Sequence, residues 1–173
     1  MENFKSRLTR VKAFLLDVDG VLTDGSVTLL PDGEQVRMMN IKDGYALQLA
    51  VKKGYTVAVI SGGKSEMVRK RLNGLGITDI YLVAHTKMDQ YEEIIAKYHL
   101  KPEEVLYMGD DIPDYEVMRH VGVPTCPKDS APEIKNICVY ISDKNGGKGA
   151  VRDVIEQVMK VQNKWMDDDG FVW

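Results

Sequence analysis

The stretch VKAFLLDVDGV, residues 11–21, opens with a nearly continuous apolar run and closes with two aspartates and a glycine. An apolar run that does not alternate with polar residues is typical of a strand buried on both faces of a sheet. The change of character after Leu16 predicts that this strand ends there. Asp17 and Asp19 are therefore expected at its carboxyl end.

The rest of the chain alternates between short β-rich runs and segments with helical periodicity. This alternation predicts an α/β fold with a Rossmann-like, mostly parallel sheet and helices on both of its faces. The later strands are predicted at residues 55–60, 80–83, 105–108, 121–125 and 137–141. The helices are predicted at residues 43–53, after 63 to about 75, 87–98, 115–119 and 150–164.

Two segments stand outside this alternation. Residues 27–39 are predicted to form a β-hairpin insertion around a Pro-Asp-Gly turn. Residues 165–173 form a C-terminal tail that contains two tryptophans and a phenylalanine, and it is either frayed or docked on a neighbouring subunit. No linker or internal repeat divides the sequence, so residues 1–173 are predicted to form one domain.

The composition is that of a globular protein. The chain carries 23 basic and 26 acidic side chains, a formal net charge of −3, which argues against a nucleic-acid partner. No apolar run approaches the length of a membrane span, and residues 1–10 lack the apolar core of a signal peptide. These features predict a cytoplasmic protein with no membrane partner.

Polar side chains follow several of the predicted strands at the point where each strand ends. In an open parallel sheet, ligands bind beyond the carboxyl ends of the strands. The sequence therefore predicts one site built from residues of several separate segments. Its candidate residues are Asp17, Asp19, Ser61, Lys87, Asp110, Asp111 and Asp114.

Asp17 and Asp19 are two residues apart on an extended chain, so their carboxylates point to the same side. One carboxylate could attack an electrophile while the other moves a proton, because two like charges this close raise the proton affinity of one of them. The alternative is a simple turn, since Asp-Val-Asp-Gly also suits a tight turn. The residues alone leave these two interpretations open.

The second acidic group lies after the strand at 105–108. Carboxylates from two strand ends suit a hard cation with oxygen ligands, above all Mg²⁺, and this favours Asp110 as a metal ligand. For Asp111 and Asp114, capping of a helix start is the expected role. Taken alone, Ser61 is expected to cap a helix or cradle a phosphate, and Lys87 to be a solvated surface lysine.

Taken together, four motifs resemble those of the haloacid dehalogenase superfamily, over nearly the whole chain. In order, they are Asp17-Val18-Asp19-Gly20-Val21, Ser61-Gly62, Lys87 and Gly109-Asp110-Asp111-Ile112-Pro113-Asp114. The resemblance implies a phosphatase with Asp17 as nucleophile, Asp19 as general acid and base, and Ser61 and Lys87 as phosphate ligands. It also implies Mg²⁺ held by Asp17, the backbone carbonyl of Asp19, and Asp110.

The segments between the motifs leave no room for a cap domain. In this the chain resembles the capless branch of the superfamily, whose members are homotetramers built around hairpins. They act on phosphates of keto-sugar acids, including one that is used in lipopolysaccharide. The implied partner is a small sugar acid phosphate. The implied substrate-binding residues are Asn40, Lys42, Asp43, Gly44, Gly62, Gly63, Lys64 and Arg71.

The chain departs from that branch at two positions. Gly63 stands where enzymes for an eight-carbon sugar acid commonly have Arg and enzymes for a nine-carbon one have Glu, and Lys148 stands where Arg is common. A phosphatase for the nine-carbon 9-phosphate is therefore an alternative. Two further alternatives are a sugar phosphomutase, which generally needs a cap, and a non-catalytic oligomerisation domain, which would not need the four motifs.

Overall fold

The computed structural model describes residues 3–166 and residue 171. The strands in chain order are β1 Ala13–Leu16, β2 Thr28–Leu29, β3 Gln35–Val36, β4 Thr56–Ile60, β5 Asp79–Tyr81, β6 Val105–Met108, β7 Val123–Cys126 and β8 Tyr140–Ile141. The α-helices are α1 Phe4–Leu8, α2 Ile41–Lys52, α3 Glu66–Asn73, α4 Lys87–Tyr98, α5 Tyr115–His120, α6 Pro132–Ile137 and α7 Ala150–Val161.

Six strands form one parallel sheet in the order β5-β4-β1-β6-β7-β8. β1 lies between β4 and β6, and Leu16 at its end is level with Val59 and Met108. The chain passes from β1 to one neighbour and later returns to the other, so the strand order reverses beside β1. This is the position at which open α/β sheets bind ligands, and Asp17 follows directly after it.

The core lies in two layers, one on each face of the sheet, as the sequence predicts. Along β1, Phe14 and Leu16 face one layer while Ala13 and Leu15 face the other, because successive strand residues point to opposite sides. Buried residues of α1, α2, α3 and α7 belong to the first layer. Buried residues of α4, α5 and α6 belong to the second.

The hairpin insertion is confirmed, although its paired part is short. β2 and β3 are antiparallel, with Thr28 opposite Val36 and Leu29 opposite Gln35. The turn is closed by the Leu30 N–H, which donates to the Glu34 carbonyl at 2.9 Å. Within the described ranges 3–166 and 171, no cap domain accompanies this hairpin.

Some predicted boundaries are wrong. The predicted strand at 137–141 is shortened to β8, since Ile137 still belongs to α6 and the Cys138 N–H donates to the Lys135 carbonyl as a helix end. Pro132 at the first helical position starts α6 and was overlooked as a helix signal. The first strand begins at Ala13 rather than at residue 11, and α1 was not predicted.

The C-terminal tail is described only in part. Trp165 packs on its own chain, with its ring edge-on to Tyr45 at a centroid distance of 6.3 Å and under the Arg152 guanidinium at 5.4 Å. Docking of the remaining tail on a neighbour was predicted for residues that largely lie outside those described. As for membranes, none of the described helices combines the length and the apolar character needed to cross a bilayer.

Candidate active site

Asp17 occupies the first position after the central strand. Its backbone N–H donates to the Met108 carbonyl at 3.1 Å, which fixes it between the ends of β1 and β6. One carboxylate oxygen, Oδ1, accepts from the Val18 N–H at 2.7 Å, and the other, Oδ2, lies 3.0 Å from the Lys87 ammonium. The residue is only 8% exposed. Asp17 is thus held in one orientation, with little contact with bulk water.

Lys87 is the first residue of α4 and lies between two carboxylates. Its ammonium is 3.0 Å from Asp17 Oδ2 and 2.6 Å from Asp114 Oδ1. Burial alone would lower the pKa of this lysine, but the charges of Asp17 and Asp114 outweigh burial and raise it. Lys87 therefore stays charged, and the expectation of a solvated surface lysine is wrong.

Asp114 organises this group rather than capping a helix. Its Oδ1 accepts from the Tyr107 hydroxyl at 2.7 Å as well as from Lys87, and its Oδ2 accepts from the Asp110 N–H at 3.1 Å. Its side chain makes no capping hydrogen bond to α5, so the predicted cap is wrong here. The cap role is confirmed for Asp111, whose Oδ1 accepts from the Ile112 N–H at 2.8 Å.

Asp17 and Asp110 form a site that fits a divalent cation. Oxygens of Asp17, Asp110 and Asp114 all lie within 4.8 Å of one another. Gly20 makes this possible, because a β-carbon there would overlap the Asp110 carboxylate. Burial, together with the neighbouring carboxylates, raises the pKa of both Asp17 and Asp110 to about 7. Two carboxylates that repel one another in this way, Asp17 buried and Asp110 half-buried, are the donor set that a hard cation stabilises.

Asp19 faces the same edge but has a different partner. The Arg37 guanidinium, which follows β3 in the hairpin, holds it with two bonds: Nε to Oδ1 at 2.6 Å and Nη2 to Oδ2 at 3.0 Å. Only 5% of the Arg37 side chain is exposed, against 35% of the Asp19 side chain. The carboxylate raises the pKa of Arg37. The hairpin therefore contributes a charged group to the site.

The Ser61 loop completes the edge. Ser61 follows β4, is 3% exposed, and its Oγ accepts from the Gly63 N–H at 3.2 Å. A cavity of about 720 Å³ opens between this loop, the aspartates and the start of α4. Its lining includes Asp17, Asp19, Ser61, Gly62, Gly63, Lys87 and Asp110. The structure thus brings together all of the predicted catalytic and metal-binding residues.

The other predicted substrate residues lie elsewhere in this chain. Asn40 and Lys42 line a separate cleft of about 690 Å³ beside α7. Asp43 is buried and accepts from the N–H groups of Gly149 at 3.2 Å and Arg152 at 2.8 Å, so it caps the start of α7.

The guanidinium of Arg71 fills the space above Gly44 and borders a small cleft next to Arg37. Lys64 is exposed beside Gly63. The substrate roles of these residues stay predictions.

Two residues of the site were missed by sequence reasoning. The apolar pattern of residues 105–108 predicts only a strand for Tyr107, although a phenol one residue before the strand end is a signal for a buried hydroxyl near polar partners. The sequence pattern places Arg37 only in the hairpin, and nothing in that pattern indicates that it reaches Asp19, eighteen residues away. Its position is a tertiary feature.

A parallel sheet whose central strand ends in a buried carboxylate, beside a charged lysine and a site that fits a divalent cation, has the groups that a cation-dependent phosphatase requires. The model of the haloacid dehalogenase-like hydrolase family matches residues 42–122. The 3-deoxy-D-manno-octulosonate 8-phosphate phosphatase of Yersinia pestis is 34% identical over 91% of this chain and 84% of its own. The chain belongs to the haloacid dehalogenase-like hydrolases, close to these phosphatases over nearly its full length.

Solved structures agree with this placement. The Yersinia pestis phosphatase superposes with a TM-score of 0.91 and 33% identity over 93% of this chain and 87% of that one. The enzyme of the same kind from Moraxella catarrhalis, in complex with magnesium, phosphate and KDO, has a TM-score of 0.89 at 31% identity over 92% of both chains. A subfamily III A hydrolase from Legionella pneumophila has a TM-score of 0.90 at 29% identity over 93% and 88%. The cofactor is Mg²⁺, for which Asp17 and Asp110 provide fitting ligands.

Proposed function

We propose that this protein hydrolyses 3-deoxy-D-manno-octulosonate 8-phosphate to the free sugar acid and inorganic phosphate, through an aspartyl-phosphate on Asp17. The observation that carries the proposal is the position of Asp17, a buried carboxylate beside the reversal of strand order. One of its oxygens accepts a hydrogen bond from the Val18 N–H, and the other lies beside the Lys87 ammonium. The 34% identity over 91% of the chain to a phosphatase for this ester supports the choice of substrate.

In the first half-reaction, the carboxylate of Asp17 attacks phosphorus and the bond to the sugar oxygen breaks. Lys87 lies 3.0 Å from the attacking group and balances negative charge that the phosphoryl group brings. Asp114 and Tyr107 keep the lysine in that position through a shared oxygen. A covalent intermediate divides a very slow hydrolysis into two easier steps.

Asp19 acts on the other side of the phosphoryl group. It gives a proton to the sugar alkoxide as that group leaves, and then takes a proton from the water that cleaves the aspartyl-phosphate. Ser61 and the N–H groups of its loop supply hydrogen bonds to the phosphoryl oxygens. When bound by Asp17 and Asp110, Mg²⁺ supplies charge neutralisation for the phosphate and the attacking carboxylate.

The proposal extends to assembly and cellular role. The hairpin exposes apolar side chains, with Leu29 71% and Met38 74% exposed, and Ile41 next to it is 71% exposed. An exposed apolar group of this kind, attached to an open active-site edge, suits an oligomer. We infer a cytoplasmic homotetramer formed through the hairpins of residues 27–39, acting in the synthesis of a lipopolysaccharide precursor.

The test is a panel of phosphate esters assayed for kcat/KM with saturating Mg²⁺. The panel contains the eight-carbon 8-phosphate, a nine-carbon keto-sugar acid 9-phosphate, a neutral sugar phosphate and an aryl phosphate. The proposal expects the eight-carbon ester to be preferred. A preference for the nine-carbon ester would replace the substrate and keep the chemistry, whereas release of no phosphate from any ester would indicate the non-catalytic alternative.

A further inference from the structure

Arg37 lies next to the cavity and reaches it through Asp19, which lines the cavity although Arg37 itself does not; 5% of the Arg37 side chain is exposed. Two of its bonds go to Asp19. The other two go to Gln35 of the same hairpin, from Nη1 to the backbone carbonyl at 3.0 Å and from Nη2 to the side-chain Oε1 at 3.3 Å. The guanidinium is thus supported from behind by Gln35 while its front faces the cavity through Asp19.

The front of Arg37 meets the Ser61 loop at a position left empty by Gly63. A β-carbon at residue 63 would lie 3.2 Å from Arg37 Nη2, 3.2 Å from Asp19 Oδ2 and 3.5 Å from Ser61 Oγ. A donor cation, a carboxylate and a hydroxyl therefore converge on one point that no side chain occupies. Arg37, Asp19 and Ser61 are therefore neighbours around the backbone of Gly63, beside the phosphate-binding loop that Ser61 opens.

The charges of the cavity add a reason for Arg37 to engage an anion. Among the described residues that line it, the carboxylates are Asp17, Asp19, Asp110, Asp111, Asp114 and Glu116. Lys87 is the lysine of the same lining, and it is already shared by Asp17 and Asp114. A phosphate monoester brings about two further negative charges. Arg37, bound to the lining residue Asp19, is a further cation beside this acidic cavity.

We propose that Arg37 is a substrate-binding residue, whose guanidinium exchanges Asp19 for an oxygen of the phosphate group when the ester enters. The exchange replaces one charge-assisted pair by another, which the planar fork of arginine suits because carboxylate and phosphate present similar oxygen pairs. It also frees the Asp19 carboxylate from the guanidinium, so that Asp19 can take up a proton from solvent and give it to the leaving oxygen. The release of Asp19 rests on the proposed function, in which Asp19 acts on the leaving group. The binding of phosphate by Arg37 does not depend on which sugar the ester carries.

The test measures the affinity of inorganic phosphate by calorimetry with saturating Mg²⁺, so that turnover and sugar identity do not enter. Loss of a hydrogen-bonding partner for a charged group predicts that Arg37→Gln weakens phosphate binding about tenfold to a hundredfold. Arg37→Lys should recover part of this loss, because lysine keeps the charge without the fork. Unchanged phosphate affinity in Arg37→Gln would overturn the proposal.

A double-mutant cycle of Arg37→Gln with Asp19→Asn, measured as phosphate affinity, separates the exchange of Arg37 from simple repulsion between Asp19 and phosphate. If phosphate must take Arg37 from Asp19, then Asp19→Asn strengthens phosphate binding more when Arg37 is present than in the Arg37→Gln background. If Arg37 merely shields Asp19, the strengthening is larger in the Arg37→Gln background, because the bare carboxylate then repels phosphate directly. The second result would overturn the proposal.

Two controls keep the result interpretable. Mg²⁺ affinity should match between wild type and Arg37→Gln, since Arg37 contacts neither Asp17 nor Asp110, and circular dichroism should show that the variant is folded although loss of the Asp19 pair lowers its thermal midpoint. If Arg37→Gln does not fold, Arg37→Lys replaces it in the cycle and the same signs apply. A wild-type protein that binds no phosphate would overturn this inference and the proposed function together, whereas phosphate binding that is insensitive to Arg37 would overturn this inference alone.

Discussion

The two sides of the cavity are built in different ways. On the Asp17 side, Lys87 and Asp114 follow or open regular elements of the sheet and its helices, and each is at most 6% exposed. Asp114 alone accepts three hydrogen bonds there. On the Asp19 side, the partner is Arg37 in a hairpin of two-residue strands whose apolar side chains are largely exposed.

This difference separates a rigid side of the site from a side that depends on the hairpin. The Asp17 side is over-determined by packing, so its groups are pre-organised before any ligand arrives, as electrostatic stabilisation of a transition state requires. The Asp19 side depends on a short hairpin with little packing of its own, and such segments have low local stability. Substitutions on the Asp17 side should therefore affect turnover or folding, and substitutions in the hairpin that supports Asp19 should affect binding and assembly.

The largest effect is expected at the nucleophile. Asp17→Asn should fold but lose steady-state turnover, because an amide does not form the aspartyl-phosphate. Burial raises the pKa of Asp17 to about 7, so a neutral side chain of the same shape is tolerated there near neutral pH. Phosphate release by a purified sample is the measurement. Measurable steady-state turnover by Asp17→Asn would contradict the covalent route.

Asp114→Asn should be the most damaging change among residues that do not touch the phosphate. It removes the carboxylate that shares Lys87 and places an amide N–H₂ near the Asp110 N–H, which is itself a donor. Removing one partner of a buried ion pair typically costs about 3–5 kcal/mol. The lower end applies because Lys87 keeps Asp17 at 3.0 Å. Chemical denaturation measures the free energy of unfolding.

Asp111→Asn is the matched control for this experiment. Asp111 is exposed and caps a 3₁₀ turn, and asparagine caps as well as aspartate, so the change should cost less than about 0.5 kcal/mol. Equal losses of stability at 111 and 114 would mean that the buried network contributes little to the fold.

The sequence predicts the Asp17 side far better than the Asp19 side, for a physical reason. Asp17 and Ser61 directly follow strands of one parallel sheet, and Asp110 comes one residue later after a third strand; the carboxyl ends of such strands must meet at one edge. The Arg37–Asp19 pair instead depends on how a hairpin folds back over that edge, which no periodicity encodes. Asp114 lies between these cases: its position was foreseen, but its partners were not, because Tyr107 belongs to an apolar strand.

Magnesium binding should depend on pH through Asp17 and Asp110. Both have a pKa raised from 3.8 to about 7 in the folded protein. Without the cation, their protonation therefore contributes fully to the free energy of unfolding below about pH 4, and this contribution is lost as the pH rises to about 7. Binding of the cation requires their ionised forms. Apparent affinity should therefore fall about tenfold to a hundredfold per pH unit below 7, for one or two protons displaced.

Thermal unfolding with and without Mg²⁺ measures this linkage. The stabilisation by Mg²⁺ should be large at about pH 8 and small at about pH 5.5. Asp110→Asn should remove most of it at both values. The same shift at both pH values in the wild-type protein would show that neither carboxylate is protonated before the cation binds.

The smallest effect on chemistry, and the clearest effect on assembly, is expected from Leu29→Asp in the hairpin. Leu29 is 71% exposed in the single chain, so its replacement should leave the free energy of unfolding of an isolated chain nearly unchanged. In a tetramer formed through the hairpins, a buried charge would instead disfavour association. Ile141→Asp, on the two-residue edge strand β8 and 42% exposed, is the matched control. Sedimentation should show smaller species for Leu29→Asp alone, with turnover changed mainly through KM. A wild-type protein that sediments as a monomer, or equal sedimentation of the two variants, would rule out the hairpin as the interface.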